Sequence, residues 1–327
     1  MLAPGVVLLT VVVLVSLPVL LLVAAMASPM VPGRWRVLRV GWMVVLHLLL
    51  ETAVLITLFV LWVASGFGAA IRRPRFERAH YDVVQAYLRL MFAEAQRVLH
   101  VEVVVEGPEP SSVSGRPLLV ISRHAGPGDS FMLVHALVNW YDREPRILLK
   151  DTLQWDPAVD VLLNRLPNRF IRPGDGTTPV RDLTSGLDDD DAFVIFPEGG
   201  NFTARRRARS IARLREKGLL AEAEQAEQLR HVLAPRPGGV VAALANAADA
   251  DVIWVAHSGL DHLVSLADVW RALPMDTVVR MRWWQVPSAD VPHGEAAQVE
   301  WLFDWWARID DWIGAQHRPS DQRRAAP

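Results

Sequence analysis

Cysteine is absent from the 327 residues. Its absence excludes disulfides, thiolate metal sites and a cysteine nucleophile. Net charge is nearly missing too: the formal value is −2 at pH 7. That excludes a generally basic nucleic-acid binder but leaves room for local basic clusters. No charged residue occurs from Met1 to Gly33. Several enzyme signatures are also lacking: there is no G-x-S-x-G elbow, no Walker loop, no G-x-G-x-x-G and no H-E-x-x-H.

What is present in excess is apolar. Hydrophobic residues make up 51% and the mean hydropathy is +0.19, with the surplus gathered in about the first seventy residues. The run from Met1 to Gly33 exceeds the ~20 apolar residues that cross a bilayer core. A secretory signal fits less well, because the run is too long and no basic residue precedes it. Arg34, Arg36 and Arg39 follow, and a second apolar run extends from Val40 to Ile71, interrupted by His47 and Glu51. Four residues apart, these two share a helix face, and the expectation is a pair that hides one charge from lipid. Arg72, Arg73, Arg75 and Arg78 come next. Basic residues on both flanks leave two arrangements open: a span whose first loop is exported despite its arginines, or a hairpin dipping into one leaflet. Both set the following domain beside anionic headgroups.

After Arg78 strand and helix patterns alternate. Strand-like runs are Val101–Val105, Leu118–Ile121, Arg146–Leu149, Phe170–Ile171, Ala192–Phe196, Val252–Ala256 and Thr277–Val286. Helical spacing marks Phe76–His100, Ser130–Trp140, Pro157–Leu166, Pro179–Leu187, Ala204–Lys217, Gly239–Ala248 and Glu295–Ile313. The predicted fold is α/β, a mostly parallel central sheet flanked by helices, preceded by an N-terminal hydrophobic two-helix membrane segment. The expected domains are residues 1–75, embedded in the membrane, residues 76–316, carrying the chemistry, and a polar tail over 317–327. "LDDDD" at Leu187–Asp191 reads as a solvated turn.

In such sheets ligands bind beyond the C-terminal strand ends, and two polar motifs sit at strand exits. The first is His124-Ala125-Gly126-Pro127-Gly128-Asp129. Extended, it would hold the two side chains too far apart for a hydrogen bond. Glycine and proline permit the reversal that sets Asp129 against one ring nitrogen of His124, leaving the other as a general base. The second is Phe196-Pro197-Glu198-Gly199-Gly200, whose glycines allow close approach to the backbone. Arg205, Arg206, Arg207, Arg209, Arg213, Arg215 and Lys217 follow, readable as a solvated basic face or as a membrane or phosphate patch. His257, Asp261 and His262 read as a loop of ordinary polar residues in preference to metal ligands.

Together the two motifs, about seventy residues apart, resemble the H-x4-D and F-P-E-G-T blocks of the glycerolipid and lysophospholipid acyltransferases. Lys150 and "NRFIRP" (Asn168–Pro173) stand where that family has a lysine and a G-x-x-F-I-x-R-like motif, and the likeness runs from about Arg116 to Ile313. The resemblance implies transfer of a fatty acyl group from acyl-CoA or acyl carrier protein to a hydroxyl of a lysophospholipid-like acceptor, 1-acylglycerol-3-phosphate foremost. His124 would act as general base oriented by Asp129, and Glu198 and Gly199 would help hold the acceptor. No metal and no cofactor beyond the acyl donor is called for. The partners implied are membrane lipids and the donor, with no nucleic acid. The implied location is the inner membrane, with the catalytic domain on its cytoplasmic face.

Two positions depart from the pattern. Gly200 and Asn201 stand where the family has threonine and a phosphate-binding arginine. In "RFIRP" the spacing to Arg172 is one residue short. Arg172, Arg205 and Arg206 are the candidate substitutes, and Lys150 completes the expected acceptor set. The competing readings are a thioester hydrolase and a non-catalytic membrane lipid-binding protein.

Overall fold

The computed structural model describes residues 2–33, 35–113, 115–171, 175–261 and 266–317. Its elements follow the order of the predicted ones. Two apolar helices, α1 (Leu2–Ala27) and α2 (Arg36–Ala64), precede α3 (Pro74–Leu99). Then come β1 (Val101–Glu106), β2 (Leu118–Ser122), α4 (Pro127–Asn139), β3 (Glu144–Lys150), α5 (Pro157–Arg165), β4 (Arg169–Ile171), α6 (Thr178–Thr184) and β5 (Asp191–Ile195). The chain continues through α7 (Ala204–Glu216), α8 (Leu220–Gln228), α9 (Pro237–Asn246), β6 (Asp251–Ser258), α10 (Leu266–Ala272), β7 (Thr277–Val286) and α11 (Glu295–His317). The boundary expected after residue 75 falls in the first turn of α3. The polar tail beyond His317 lies outside the described residues.

The seven strands form one sheet in the order β1-β7-β6-β2-β5-β3-β4. All pairs are parallel except β6 with β7. The central strands β2, β5 and β6 are buried throughout, as a sheet covered on both faces requires. Strand alternation divides their side chains between two cores. Leu119, Ile121, Phe193, Ile195, Val252 and Trp254 face α6, α9 and α11. Leu118, Val120, Ala192, Val194, Ile253 and Val255 face α4 and α3. Each fully buried aliphatic side chain contributes roughly 1.5–3 kcal/mol.

α11 closes the first core with Leu302, Trp306, Ile309 and Ile313, spaced by three, four and seven residues along one stripe. Trp254 stacks on Trp305 with ring centroids 5.2 Å apart. On the same helix the buried Asp310 accepts the backbone N–H groups of Arg230, His231 and Val232 at 2.5–3.1 Å. Trp306 Nε1 donates to the Leu233 carbonyl at 2.9 Å. Residues 230–233 are thereby pinned beside the strand ends. Asp188, Asp189 and Asp190 are exposed, as a solvated turn requires, whereas Asp191 opens β5, is 2% exposed and pairs with Arg146 at 2.5 Å.

α1 and α2 are both long and apolar enough to cross a membrane. They pack on one another, and Thr10 Oγ1 donates to the Leu48 carbonyl at 3.3 Å. α2 also runs antiparallel along α3. Arg39 donates to the Val98 carbonyl, Trp42 Nε1 to Glu94 at 2.9 Å, and His47 Nδ1 lies 2.9 Å from the Tyr87 hydroxyl. Near its start Arg36 donates to the Leu273 carbonyl at 2.8 Å, and near its end the Leu58 carbonyl accepts from Arg165 at 2.9 Å. Both ends of α2 therefore touch the sheet domain.

Candidate active site

Strand register brings the two motifs together. Ile121 pairs with Ile195, and each chain runs three residues further to reach His124 and Glu198. On the other side of β2, Ser122 pairs with Val255, which sets His257 level with His124. The His124 N–H donates to Glu198 Oε1 at 2.8 Å, and the Phe202 N–H donates to the His124 carbonyl at 3.1 Å.

After β2 the chain turns through Gly126 into α4, with Pro127 in the first turn, where its missing N–H costs nothing. Asp129 is the third residue of that helix and caps it. Its Oδ2 accepts the N–H groups of Ala125 at 2.6 Å and Gly126 at 3.1 Å. The same carboxylate faces His124 Nδ1, with both oxygens at 3.1 Å. An ionised carboxylate only accepts, so Nδ1 carries the hydrogen and Nε2 is left with its lone pair. His124 is half-buried beside Phe196, at a ring separation of 4.9 Å.

Burial pushes the Asp129 carboxyl up, but the hydrogen bonds and charges of His124 and His257 outweigh it and hold it well below the ordinary carboxylate range. Asp129 thus stays ionised at 1% exposure. His257 Nε2 lies 3.5 Å from Asp129 Oδ2 and 3.4 Å from the Arg123 carbonyl. Both neighbours are acceptors, which assigns the hydrogen to Nε2.

Behind the imidazoles sits Arg123, 1% exposed. It donates to Asp261 at 2.6 Å and to the His257 carbonyl at 2.7 Å. Burial raises the Asp261 carboxyl, and the Arg123 guanidinium overrides that to hold it below its usual value. "HSGLDH" is therefore no ordinary polar loop. β6 extends through His257 and Ser258, His257 touches Asp129, and Asp261 neutralises a buried arginine. His262 lies outside the described residues.

Glu198 is 2% exposed, and its other oxygen accepts the Leu233 N–H at 2.9 Å. Both oxygens are thus engaged by backbone, and Glu198 braces the strand ends from inside the protein. Burial pushes its carboxyl up to about 7, against the pull of Arg123 and of the two amides. Gly199 adopts φ +65°, and a Cβ there would stand 2.8 Å from the Arg236 guanidinium. A Cβ on Gly200 would stand 2.9 Å from Arg206, which donates to the Asn201 carbonyl at 3.1 Å. Two exposed guanidinium groups, Arg206 and Arg236, therefore lie over the glycines, next to the asparagine. Arg236, at the start of α9, is not among the site residues expected from the sequence.

Of the remaining expected residues, Lys150 ends β3 at the same end of the sheet and pairs with Ile171, the residue before Arg172; Arg172 itself lies outside the described residues. Arg205 is exposed in the first turn of α7. α7 buries only Ile211, which leaves most of its basic side chains in solvent, while Arg207 and Arg215 tie it to Leu229 and Glu227.

Residues 102–252 match the family model described as Acyltransferase, over a span that holds His124, Asp129, Glu198 and Arg236. These residues are an acyltransferase-family domain. The acyltransferase domain has a solved structural relative: the 1-acyl-sn-glycerophosphate (LPA) acyltransferase PlsC from Thermotoga maritima. That structure superposes with a TM-score of 0.51 at 16% identity, covering 84% of this chain and 98% of its own. At that identity the likeness is one of fold. No curated protein matches this sequence.

Proposed function

We propose that the protein transfers a fatty acyl group from a thioester donor, acyl-CoA or acyl carrier protein, to a hydroxyl of a lysophospholipid-like acceptor, with 1-acylglycerol-3-phosphate first among candidates. The observation that carries this reading is the buried Asp129 carboxylate on His124 Nδ1, which leaves Nε2 free to act as a base. Nε2 takes the proton of the acceptor hydroxyl as its oxygen attacks the thioester carbonyl. The tetrahedral intermediate then collapses, the C–S bond breaks, and the departing sulfur takes the proton from the imidazolium. Asp129 holds the tautomer and stabilises the imidazolium. His257 and Arg123 act through Asp129 and the strand ends as positioning residues. No cofactor beyond the donor enters.

Arg206 and Arg236 supply the positive charge that Asn201 does not, at the place where an acceptor phosphate would sit. Arg236→Gln is expected to raise the acceptor KM roughly tenfold, the loss of one charge-assisted contact, with kcat changed less. Gly199→Ala, which strains the backbone and displaces Arg236, is expected to do the same. Steady-state kinetics over a range of acceptor concentrations check both, and equal falls in kcat with unchanged KM would place Arg236 elsewhere in the mechanism.

The hairpin α1–α2 is read as the anchor. Leu8, Val15, Ile56, Phe59 and Val60 leave a wide apolar surface exposed, and both ends of α2 contact the sheet domain. That favours a hairpin entering one leaflet over a span. The arginines around residues 72–78 favour the cytoplasmic face of the inner membrane. The test of the whole reading is a panel of lysolipids offered to the purified full-length protein with a labelled donor, products being identified by mass spectrometry. Acylated lipid with acceptor-dependent thiol release is expected. Thiol release indifferent to acceptor would mark a thioesterase, and binding without turnover a lipid-binding protein.

A further inference from the structure

α2 and α5 meet at a group of polar side chains for which acyl transfer has no use. His47 and Glu51 lie one turn apart on α2, with Nε2 3.4 Å from Glu51 Oε2. Across the interface stands Asp156, which caps α5: its Oδ1 accepts the Val159 N–H at 2.9 Å. One ligand atom from each of the three residues lies within 4.8 Å of the other two. Glu51 is 4% exposed; its carboxyl group is within hydrogen-bonding reach of the Ala158 backbone and the Asp156 side chain, yet its buried Oε1 makes no hydrogen bond of ordinary geometry. From α3, the Tyr87 hydroxyl meets His47 Nδ1 at 2.9 Å.

Two carboxylates that close repel each other. One of them is enclosed beside Val54, Leu58, Ala158 and Leu162, where an uncompensated charge is costly. The His47–Glu51 pair expected from the sequence is present, but a single imidazole does not balance two carboxylates. A tyrosine oxygen accepts as readily as it donates. With Nδ1–H donating to Tyr87, the Nε2 lone pair faces the carboxylates, the orientation that metal-ligating histidines take from a partner behind them.

We propose that His47, Glu51 and Asp156 bind one divalent transition-metal ion of the Mn²⁺-to-Zn²⁺ series, clamping α2 to the sheet domain. One imidazole and two carboxylates suit that series better than Mg²⁺ or Ca²⁺, which take oxygen alone. A dication cancels the two negative charges and gives Glu51 Oε1 the well-placed partner it lacks. His47 is 39% exposed on its side chain, which leaves an approach for the ion and room for water to complete the shell. The clamp stands independently of the acyl-transfer reading, because its ligands and readouts lie outside the His124 site.

The test uses full-length protein in detergent, stripped with a chelator and then given Zn²⁺, Mn²⁺ or Mg²⁺ alone. Near-stoichiometric Zn²⁺ or Mn²⁺ retention by elemental analysis is expected. The melting temperature should rise by roughly 5 °C at a hundredfold excess over Kd, and Mg²⁺ should give no comparable rise. Co²⁺ should produce a visible ligand-field band. Asp156→Asn keeps the helix cap and Glu51→Gln keeps the shape, so both variants should fold yet bind at least about tenfold more weakly. No retention and no shift by wild type would overturn the proposal and leave two carboxylates sharing a proton. Equal shifts in wild type and both variants would place the ion elsewhere and overturn it as well.

Discussion

His124→Ala is expected to lower acyl transfer by on the order of a thousandfold or more, and Asp129→Asn by on the order of a hundred- to ten-thousandfold. The two variants fail for different reasons. Alanine at 124 removes the base but leaves Asp129 capping α4 through Ala125 and Gly126, so the fold should be kept. Asparagine at 129 presents one oxygen and one NH₂ group where two oxygens now face Nδ1. The carboxamide NH₂ favours the tautomer with Nδ1 as acceptor, which puts the hydrogen on Nε2 and blocks proton abstraction. It also gives up the negative charge at a helix N-terminus, worth about 0.3–1 kcal/mol. Rates measured with labelled donor, beside melting curves for both proteins, separate chemistry from stability. Near-normal turnover by both variants would remove His124 from the mechanism. His257→Gln, by contrast, should slow the reaction less, because it touches Asp129 only from behind at 3.5 Å.

How far this site was legible in the sequence follows from which contacts are local. The reversal between His124 and Asp129 spans five residues, and its glycines and proline announce it. The central strands are legible as short, unbroken apolar runs rich in β-branched residues and bounded by turn signals, and the helices by their 3.6-residue spacing. α8 (Leu220–Gln228) and α10 (Leu266–Ala272) escape the pattern because neither carries a long apolar stripe. Strand order is the deeper gap. β2 has β5 on one side and β6 on the other, and only that arrangement brings Glu198 and His257 level with His124. Local pattern does not encode which distant strands become neighbours. Hence nothing local marks His257 as a neighbour of Asp129 or Arg123 as a buried partner of Asp261, and the glycine-rich exit after Glu198 suggests an acceptor contact where its oxygens serve the His124 and Leu233 amides. Arg236 belongs to the same class, placed over Gly199 by the segment that Asp310 and Trp306 hold down.

That enclosure of Glu198 yields the second large effect, on stability. Its carboxyl titrates at about 7 in the folded protein against 4.5 when exposed, so the folded state holds this proton the more tightly. Below the lower value both states are protonated and the contribution is complete. As pH rises between the two values the unfolded chain releases its proton first, and stability falls until the folded carboxyl has also ionised. At about 1.4 kcal/mol per pH unit the loss approaches roughly 3 kcal/mol. Glu144, raised to about 7 by burial, acts in the same direction, so wild type alone does not isolate the effect. Glu198→Gln supplies the reference: its amide does not titrate, and its carbonyl satisfies only one of the two backbone amides, leaving the other facing an NH₂ group. The unfolding free energy of wild type minus that of Glu198→Gln, from denaturant titrations, is therefore expected to shrink by roughly 3 kcal/mol across that interval. Parallel curves would mean that Arg123 and the two amides already keep Glu198 ionised. The charge beside the His124 amide would then be a permanent feature of the site, and its pH dependence would have to come from the imidazoles.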